Sequence, residues 1–148
     1  EEMDWLSAEA MGYYDSSLLP SEGAGALLLG KEGEGPRLIA VPDPISYAEV
    51  GDPVEAMKRL WDSLAAEDNG RMLWCDGRNG GDRYDRAENL PWSGPRLSVR
   101  KYLGESMGAA AAMQTVAAIE WIKSGRADGA VVTAVGGNEA VGGAVFGG

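Results

Sequence analysis

The stretch LGESMGAAAAMQTVAAIEWIKSG, Leu103 to Gly125, combines the pattern of a buried helix with an acidic residue near its start. It carries four consecutive alanines where a surface helix would carry charges, and apolar residues continue at helical spacing. Small side chains on every face of the first two turns favour a central, tightly packed helix. A phosphate-binding helix N-terminus is the alternative. Glu105 argues against it, because a carboxylate in the first turn satisfies the helix dipole and repels phosphate.

The length and composition of the chain indicate one globular domain, residues 1–148. Its 148 residues are 45% apolar and 24% charged, which is typical of a folded chain rather than a disordered one. The net charge of −10 argues against nucleic-acid binding and against anionic membranes. No apolar stretch approaches the length of a membrane span, and the N-terminus does not resemble a signal peptide. We therefore expect a cytoplasmic protein.

The absence of histidine limits the chemistry that this chain can perform. Ser-His-Asp and Cys-His machinery is excluded within the chain, so carboxylates, lysines or tyrosines would have to perform acid–base catalysis. A zinc site is improbable, and we expect neither a metal nor a cofactor. The single cysteine, Cys75, excludes an internal disulfide framework, and its place at a strand end favours a buried structural thiol.

The order of apolar runs and turn residues predicts an α/β fold. Glu22 to Gly30 is an apolar run bounded by glycines and is predicted to be a buried strand. A helix is predicted from Asp52 to about Ala66, because Asp52 suits the N-cap and Pro53 the first helical position. With the remaining segments RLIAVPDPISYAE, RMLWC, DRYDRAENL, RLSVR, DGAVVTAV and VGGAVF, the predicted order is β-β-α-β-α-β-α-β-β.

Three stretches in this order resemble the C-terminal half of a β-ketoacyl synthase, the condensing enzyme of the thiolase superfamily. They are YYDSSLLPSEGAGALLLG, MLWCDGRNGGDRYDRAE, and LSVRKYLGESMGAAAAMQTV followed by AVVTAVGGNEAVGGAVF. The first is similar to the family's Gly-Glu-Gly-Ala-Gly segment and the strand after it. The second is similar to the strand and loop that carry the family's first catalytic histidine. The third is similar to the lysine-containing strand, the helix of the second histidine and the closing hairpin. The resemblance implies a thiolase-like half-domain with a five-stranded mixed sheet and helices packed on it.

The same resemblance implies that the catalytic positions have changed. In the family, a cysteine of the N-terminal half carries the acyl group, and two histidines of the C-terminal half drive decarboxylation. The first histidine position falls on Asp76, the second on Glu105, and the lysine position on Arg100. The resemblance therefore implies that this chain contains no residue catalysing the family's reaction.

The carboxylates at the two histidine positions leave three interpretations open. Arg100 could pair with Glu105 or Asp76 as a structural ion pair. Burial could instead raise a carboxyl pKa enough to keep the proton, which would give an altered acid–base site. The carboxylates could also be solvated loop residues. Ionised carboxylates only accept hydrogen bonds and would repel a developing enolate.

The predicted function is that of a ketosynthase-like, non-catalytic subunit related to fatty acid or polyketide synthesis, comparable to a chain-length factor. One alternative is an active acyl-thioester transferase or hydrolase whose nucleophile lies in an N-terminal half. The other is an acidic scaffold that retains only the fold. The expected partner is the complementary N-terminal half or a second copy, bound through the helix from Gly104 to Lys123. An acyl carrier protein is a further candidate. The opening residues EEMDW resemble those that follow the N-terminal half, so we expect a fragment or a processed piece.

Overall fold

The computed structural model describes residues 21–136 and 139–148, without the side chains of Asp82, Arg83 and Met107. In these residues the chain forms one six-stranded sheet. The strands are β1 (Arg37–Ala40), β2 (Ile45–Ser46), β3 (Met72–Asp76), β4 (Arg96–Ser98), β5 (Gly129–Val135) and β6 (Ala140–Gly147). The helices are α1 (Tyr47–Val50), α2 (Pro53–Leu64), α3 (Asp82–Asp85), α4 (Val99–Leu103) and α5 (Ala110–Lys123).

The sheet is mixed, which confirms the predicted α/β fold. Its order is β1-β6-β5-β3-β4, and β2 also pairs with β6. Strands β4, β3 and β5 are parallel, whereas β6 runs antiparallel to β5, β1 and β2. The sheet has six strands instead of five. The carboxyl ends of the three parallel strands meet at one edge, where ligand sites of α/β folds commonly form.

The predicted strand from Glu22 to Gly30 is wrong, because the segment forms no regular structure. Its glycines bring the backbone against α5 instead: a Cβ added at Gly25 would lie 2.8 Å from the Cβ of Ala112. The apolar residues that follow remain outside the sheet, and Leu28 is 101% exposed. Residues 13–20, which begin the first family-like stretch, lie outside the described part of the chain.

Several element boundaries also differ from the prediction. The strand RLSVR ends at Ser98, where α4 begins, and the polar segment DRYDRAENL is helical only over Asp82–Asp85. The helix predicted from Gly104 begins at Ala110, after a 3₁₀ turn over Met107–Ala109. Gly104 separates α4 from this turn and has φ +82°, a positive value that favours glycine. The prediction of α2 is confirmed, since the Asp52 side chain accepts a hydrogen bond from the Val54 amide at 3.1 Å.

The core consists of two apolar layers, one on each face of the sheet. Helix α2 covers one face, where Met57 and Leu60 are buried in the cluster that includes Trp74 of β3. Helix α5 covers the other face, where Ala118 and Ile122 lie in the cluster that includes Cys75. This division follows from the alternation of side chains along β3.

Helix α5 buries only one stripe of its surface. The stripe has a spacing of four residues and consists of Ala110, Gln114, Ala118 and Ile122. Ala111 and Val116 are exposed, so the prediction of a central, closely packed helix holds for this stripe and not for every face. In the part of the chain that the structure describes, no helix combines the length and apolarity that a membrane crossing needs.

Candidate functional site

A cluster of charged side chains lies where the parallel strands β3 and β4 end. We call it the polar cluster, and its members are Asp76, Arg78, Glu88, Arg96, Arg100 and Glu105. Asp76 is the last residue of β3, Arg100 lies in α4, and Glu105 follows the Gly104 turn. The structure brings the three sequence-predicted positions together, because Arg100 Nη1 lies 3.2 Å from both Glu105 Oε2 and the carbonyl oxygen of Gly77, the neighbour of Asp76.

Asp76 is fully buried and is held by two arginines. Its Oδ2 accepts hydrogen bonds from Arg96 Nε at 2.5 Å and from Arg78 Nε at 3.0 Å. Its Oδ1 accepts from the Arg78 backbone amide at 3.1 Å. A buried carboxylate is tolerated when paired and hydrogen-bonded in this way. The ion-pair interpretation therefore holds for Asp76, although its partners are Arg78 and Arg96 rather than Arg100.

Glu105 forms the other ion pair of the cluster. Its Oε2 lies 3.2 Å from Arg100 Nη1 and accepts a hydrogen bond from Asn79 Nδ2 at 2.7 Å. The side chains of Arg100 and Glu105 are 9% and 7% exposed. The predicted Arg100–Glu105 pair is present, and the interpretation of solvated loop carboxylates is wrong for Asp76 and Glu105 alike.

The turn formed by residues 77–81 brings Asn79 to Glu105. Asp85 of α3 accepts hydrogen bonds from the Asn79 amide at 2.9 Å and from the Gly80 amide at 3.2 Å. Asn79 Oδ1 accepts from the Gly81 amide at 3.0 Å. Gly80 has φ +102°, which a side chain would disfavour. The glycine-rich sequence of the 77–81 turn thus permits the backbone path that positions Asn79.

Arg96 connects the cluster to a group of tryptophans. Its guanidinium lies 3.8 Å from the ring centroid of Trp74, its partner in the parallel pairing of β3 and β4. It also donates a hydrogen bond to the backbone carbonyl of Glu88. The ring of Trp74 lies near those of Trp61 and Trp92, with centroid distances of 4.6 and 6.0 Å. Sequence reasoning missed Arg96, because its role depends on the register of two strands distant in sequence.

Glu88 is a second functional candidate that sequence reasoning missed. Its side chain is 1% exposed, and Oε1 accepts a hydrogen bond from Thr133 Oγ1 at 2.5 Å. Burial raises the pKa of Glu88 to about 7, against the effect of hydrogen bonds from Thr133 and the Gly77 amide. No sequence signal marked Glu88, because it lies in a segment whose composition indicates a polar surface helix.

Cys75 is buried, as predicted, on the α5 side of β3. Burial, followed by the negative charges of Asp76 and Glu88, raises the pKa of its thiol to about 12. The Sγ donates to the backbone carbonyl of Gln114 at 3.4 Å. Because the thiolate is the reactive form of cysteine, this environment suppresses nucleophilic chemistry at neutral pH.

The arrangement as a whole favours structural ion pairs over acid–base turnover at Asp76 and Glu105. Both carboxylates are engaged by guanidinium groups, and an ionised carboxylate only accepts hydrogen bonds. Arg100 Nε is buried and has no hydrogen-bond partner among the residues that the structure describes. Among the described residues, no three histidine, cysteine, aspartate or glutamate side chains are grouped so as to hold a metal ion.

Comparison with known proteins shows a likeness of fold. A scan against protein-family models and a search of curated proteins found no match. A solved structure described as a type II PKS acyl-carrier protein in complex with its ketosynthase bound to the hexaketide matches with a TM-score of 0.58 and 10% sequence identity. The match covers 74% of this chain and 32% of that chain, so this chain spans about a third of the solved chain's length. At this identity, the chain shares a fold with a protein of that polyketide synthase complex.

Proposed function

We propose that this chain is a ketosynthase-like domain that takes part in fatty acid or polyketide synthesis without performing the condensation. The main support is the state of Asp76 and Glu105, which correspond to the family's catalytic histidines. Both are buried carboxylates bound by arginines. The order of the family-like motifs and the fold likeness to a protein of a polyketide synthase complex support a relation to this class. A thiolase-like half-domain over residues 1–148 is part of the proposal.

The chemistry of condensation explains why these substitutions matter. Decarboxylation of a malonyl thioester generates an enolate, which requires hydrogen-bond donors directed at its oxygen. Asp76 accepts hydrogen bonds from Arg78 and Arg96, and Glu105 accepts one from Asn79. Loss of one preorganised donor typically costs about 10²- to 10³-fold in rate, and both positions are affected here.

A chain with this site can still contribute structure to an acyl-binding assembly. The polar cluster connects β3, β4, α4 and the 77–81 turn through the Arg96–Asp76 ion pair and through arginine hydrogen bonds to Ser98 and to the Gly77 carbonyl. We propose that it forms part of the wall beside an acyl tunnel, as the chain-length factors of the resembled family do. Catalysis would then depend on a nucleophile outside these 148 residues.

The proposed partner is the complementary N-terminal half or a second copy, with an acyl carrier protein as a further candidate. The partner would bind along the helix predicted from Gly104 to Lys123, where α5 leaves Ala111 and Val116 exposed. The segment carrying Gly23 and Gly25 already covers another side of the first turns of α5. Exposed apolar patches often mark such interfaces.

Carbon dioxide release from malonyl carrier protein tests the proposal. We expect no release above background from the chain, alone or mixed with a complementary ketosynthase half. Binding of an acyl chain without turnover would support a tunnel-forming subunit over a bare scaffold. Turnover that disappears in Glu105→Gln or Asp76→Asn, but not in the exposed control Glu120→Gln, would refute the proposal in favour of an altered active site.

A further inference from the structure

Glu88 connects the centre of the sheet to the 77–81 turn. Its carboxyl accepts hydrogen bonds from the Thr133 hydroxyl of β5 and from the Gly77 amide of the turn. A Cβ added at Gly77 would lie 3.2 Å from Glu88 Oε2, so the carboxyl lies directly against the turn backbone. The same turn carries Asn79 to Glu105. A movement of the 77–81 turn that exposes Glu88 to water would therefore also disturb the hydrogen bond between Asn79 and Glu105.

Charged and titratable groups surround Glu88 on three elements. They are Asp76 and Cys75 of β3, Arg96 of β4 and Arg100 of α4. Asp76 disfavours the ionised form of Glu88, Arg100 favours it, and Arg96 binds the backbone carbonyl of Glu88. The neighbouring strand β5 and the turn contribute the uncharged Thr133 and Gly77. Arg100 Nη1 is engaged by Glu105 and the Gly77 carbonyl, and among the side chains that the structure describes Glu88 forms no salt bridge.

We propose that Glu88 is a proton-dependent latch, which keeps the 77–81 turn closed while it is protonated and opens the turn to water when it ionises. A buried carboxylate with two hydrogen bonds and no ion pair is less well solvated than one in water. Opening restores hydration, so ionisation favours the open turn. The pKa of Glu88, raised by burial to about 7, places the transition near neutral pH.

The turn is the element of this contact that can move. Thr133 lies on β5, which is hydrogen-bonded on both sides by β3 and β6. The turn instead contains Gly77, Gly80 and Gly81 and is held by side-chain contacts. These contacts join it to Asp85 and Glu105, to Asp76 and Ser98 through Arg78, and to Arg100 through the Gly77 carbonyl. Opening would withdraw Asn79 from Glu105. The latch would thus give the solvent access to the polar cluster only above neutral pH.

Hydrogen exchange of the backbone amides of residues 77–81 tests the latch. After correction for the intrinsic exchange rate, protection in the wild type should fall by up to about tenfold per pH unit between pH 7 and 8.5. In Glu88→Gln this dependence should vanish. In the control Glu120→Gln, which neutralises an exposed carboxylate of α5, it should remain. Wild-type protection that is constant with pH, or a Glu88→Gln variant with unchanged dependence, would overturn the proposal.

A wild-type measurement covers the case in which Glu88→Gln fails to fold. Trp74 Nε1 donates to Thr133 Oγ1 at 2.8 Å, and the same hydroxyl donates to Glu88. The NMR shift of the Trp74 indole N–H should therefore titrate with a midpoint near pH 7, together with the loss of amide protection in the turn. An indole signal that does not change between pH 6 and 8.5 would refute the latch.

Discussion

Two regions depart from the usual rule that charged side chains are exposed and apolar ones are buried. They are the polar cluster and the apolar run at residues 26–29. In the cluster, Asp76 and Glu105 are buried and held by arginines. In the 26–29 run, Leu28 and Leu29 are 101% and 71% exposed. Within residues 21–136 and 139–148, the chain therefore supplies partners for its buried charges but does not cover this strongly apolar segment. Our proposal expects this difference, because the domain pairs its buried charges internally but needs a partner to cover its exposed apolar residues.

The largest effect is expected from removing the central anion of the cluster. Asp76→Ala leaves Arg78 and Arg96 without their carboxylate, and breaking a buried pair typically costs about 3–5 kcal/mol. We expect this loss in the free energy of unfolding, measured by urea denaturation. The matched control is Asp128→Ala, which breaks the solvent-exposed pair with Arg71 and should change stability far less. Equal losses in the two variants would show that the cluster is not a stabilising unit.

The next effect is a pH dependence of stability caused by Glu88. Its pKa is raised in the folded state from 4.5 to about 7, so the folded state binds more protons than the unfolded state in this range. The stabilising effect of the proton is therefore fully present below pH 4.5 and is lost as pH rises through 7. The loss should reach about 3 kcal/mol at most. Urea denaturation at a series of pH values checks this, and Glu88→Gln should show a smaller decline over the same range.

A smaller effect is expected at the proposed interface on α5. Ala111→Leu adds bulk where a partner must come close, and overpacking of such a contact typically costs about 1–3 kcal/mol. We expect weaker association, measured by light scattering at micromolar concentration, with unchanged stability of the monomer. Lys58→Leu on the exposed side of α2 adds a leucine elsewhere and should leave association intact. Equal association of wild type and Ala111→Leu would remove α5 from the interface.

The smallest effect on folding is expected in the 26–29 run. Leu28→Ala should change the stability of the chain by less than about 0.5 kcal/mol, because the side chain contributes no buried surface. The same substitution at the buried Leu60 should cost about 2–5 kcal/mol. Thermal or urea unfolding of the two variants gives the comparison directly. A large loss from Leu28→Ala would show that the run is covered by the chain's own residues.

Local signals in the sequence predicted the elements that depend on local chemistry. Helix α2 was found from its Asp52 cap, and strands β3, β5 and β6 from their apolar runs. The run from Glu22 to Gly30 is also apolar, but an apolar run does not reveal whether a sheet edge is available to pair with it. The structure shows its glycines against α5 instead.

The site was predicted only where family resemblance marked it. Asp76, Arg100 and Glu105 were identified in this way. The roles of Arg96 and Glu88 depend on the β3–β4 register and on the depth at which a polar segment is buried. Both properties arise from contacts between residues distant in sequence, which no local pattern encodes.

Hydrogen exchange at two protein concentrations tests the central contrast most directly. The amides of β3 near Asp76 should be equally protected at low and high concentration, because the cluster is completed within the chain. The amides of residues 26–29 should gain protection only at the higher concentration, or when a complementary ketosynthase half is added. Protection of residues 26–29 in the isolated monomer, or a cluster that becomes protected only on assembly, would contradict the account.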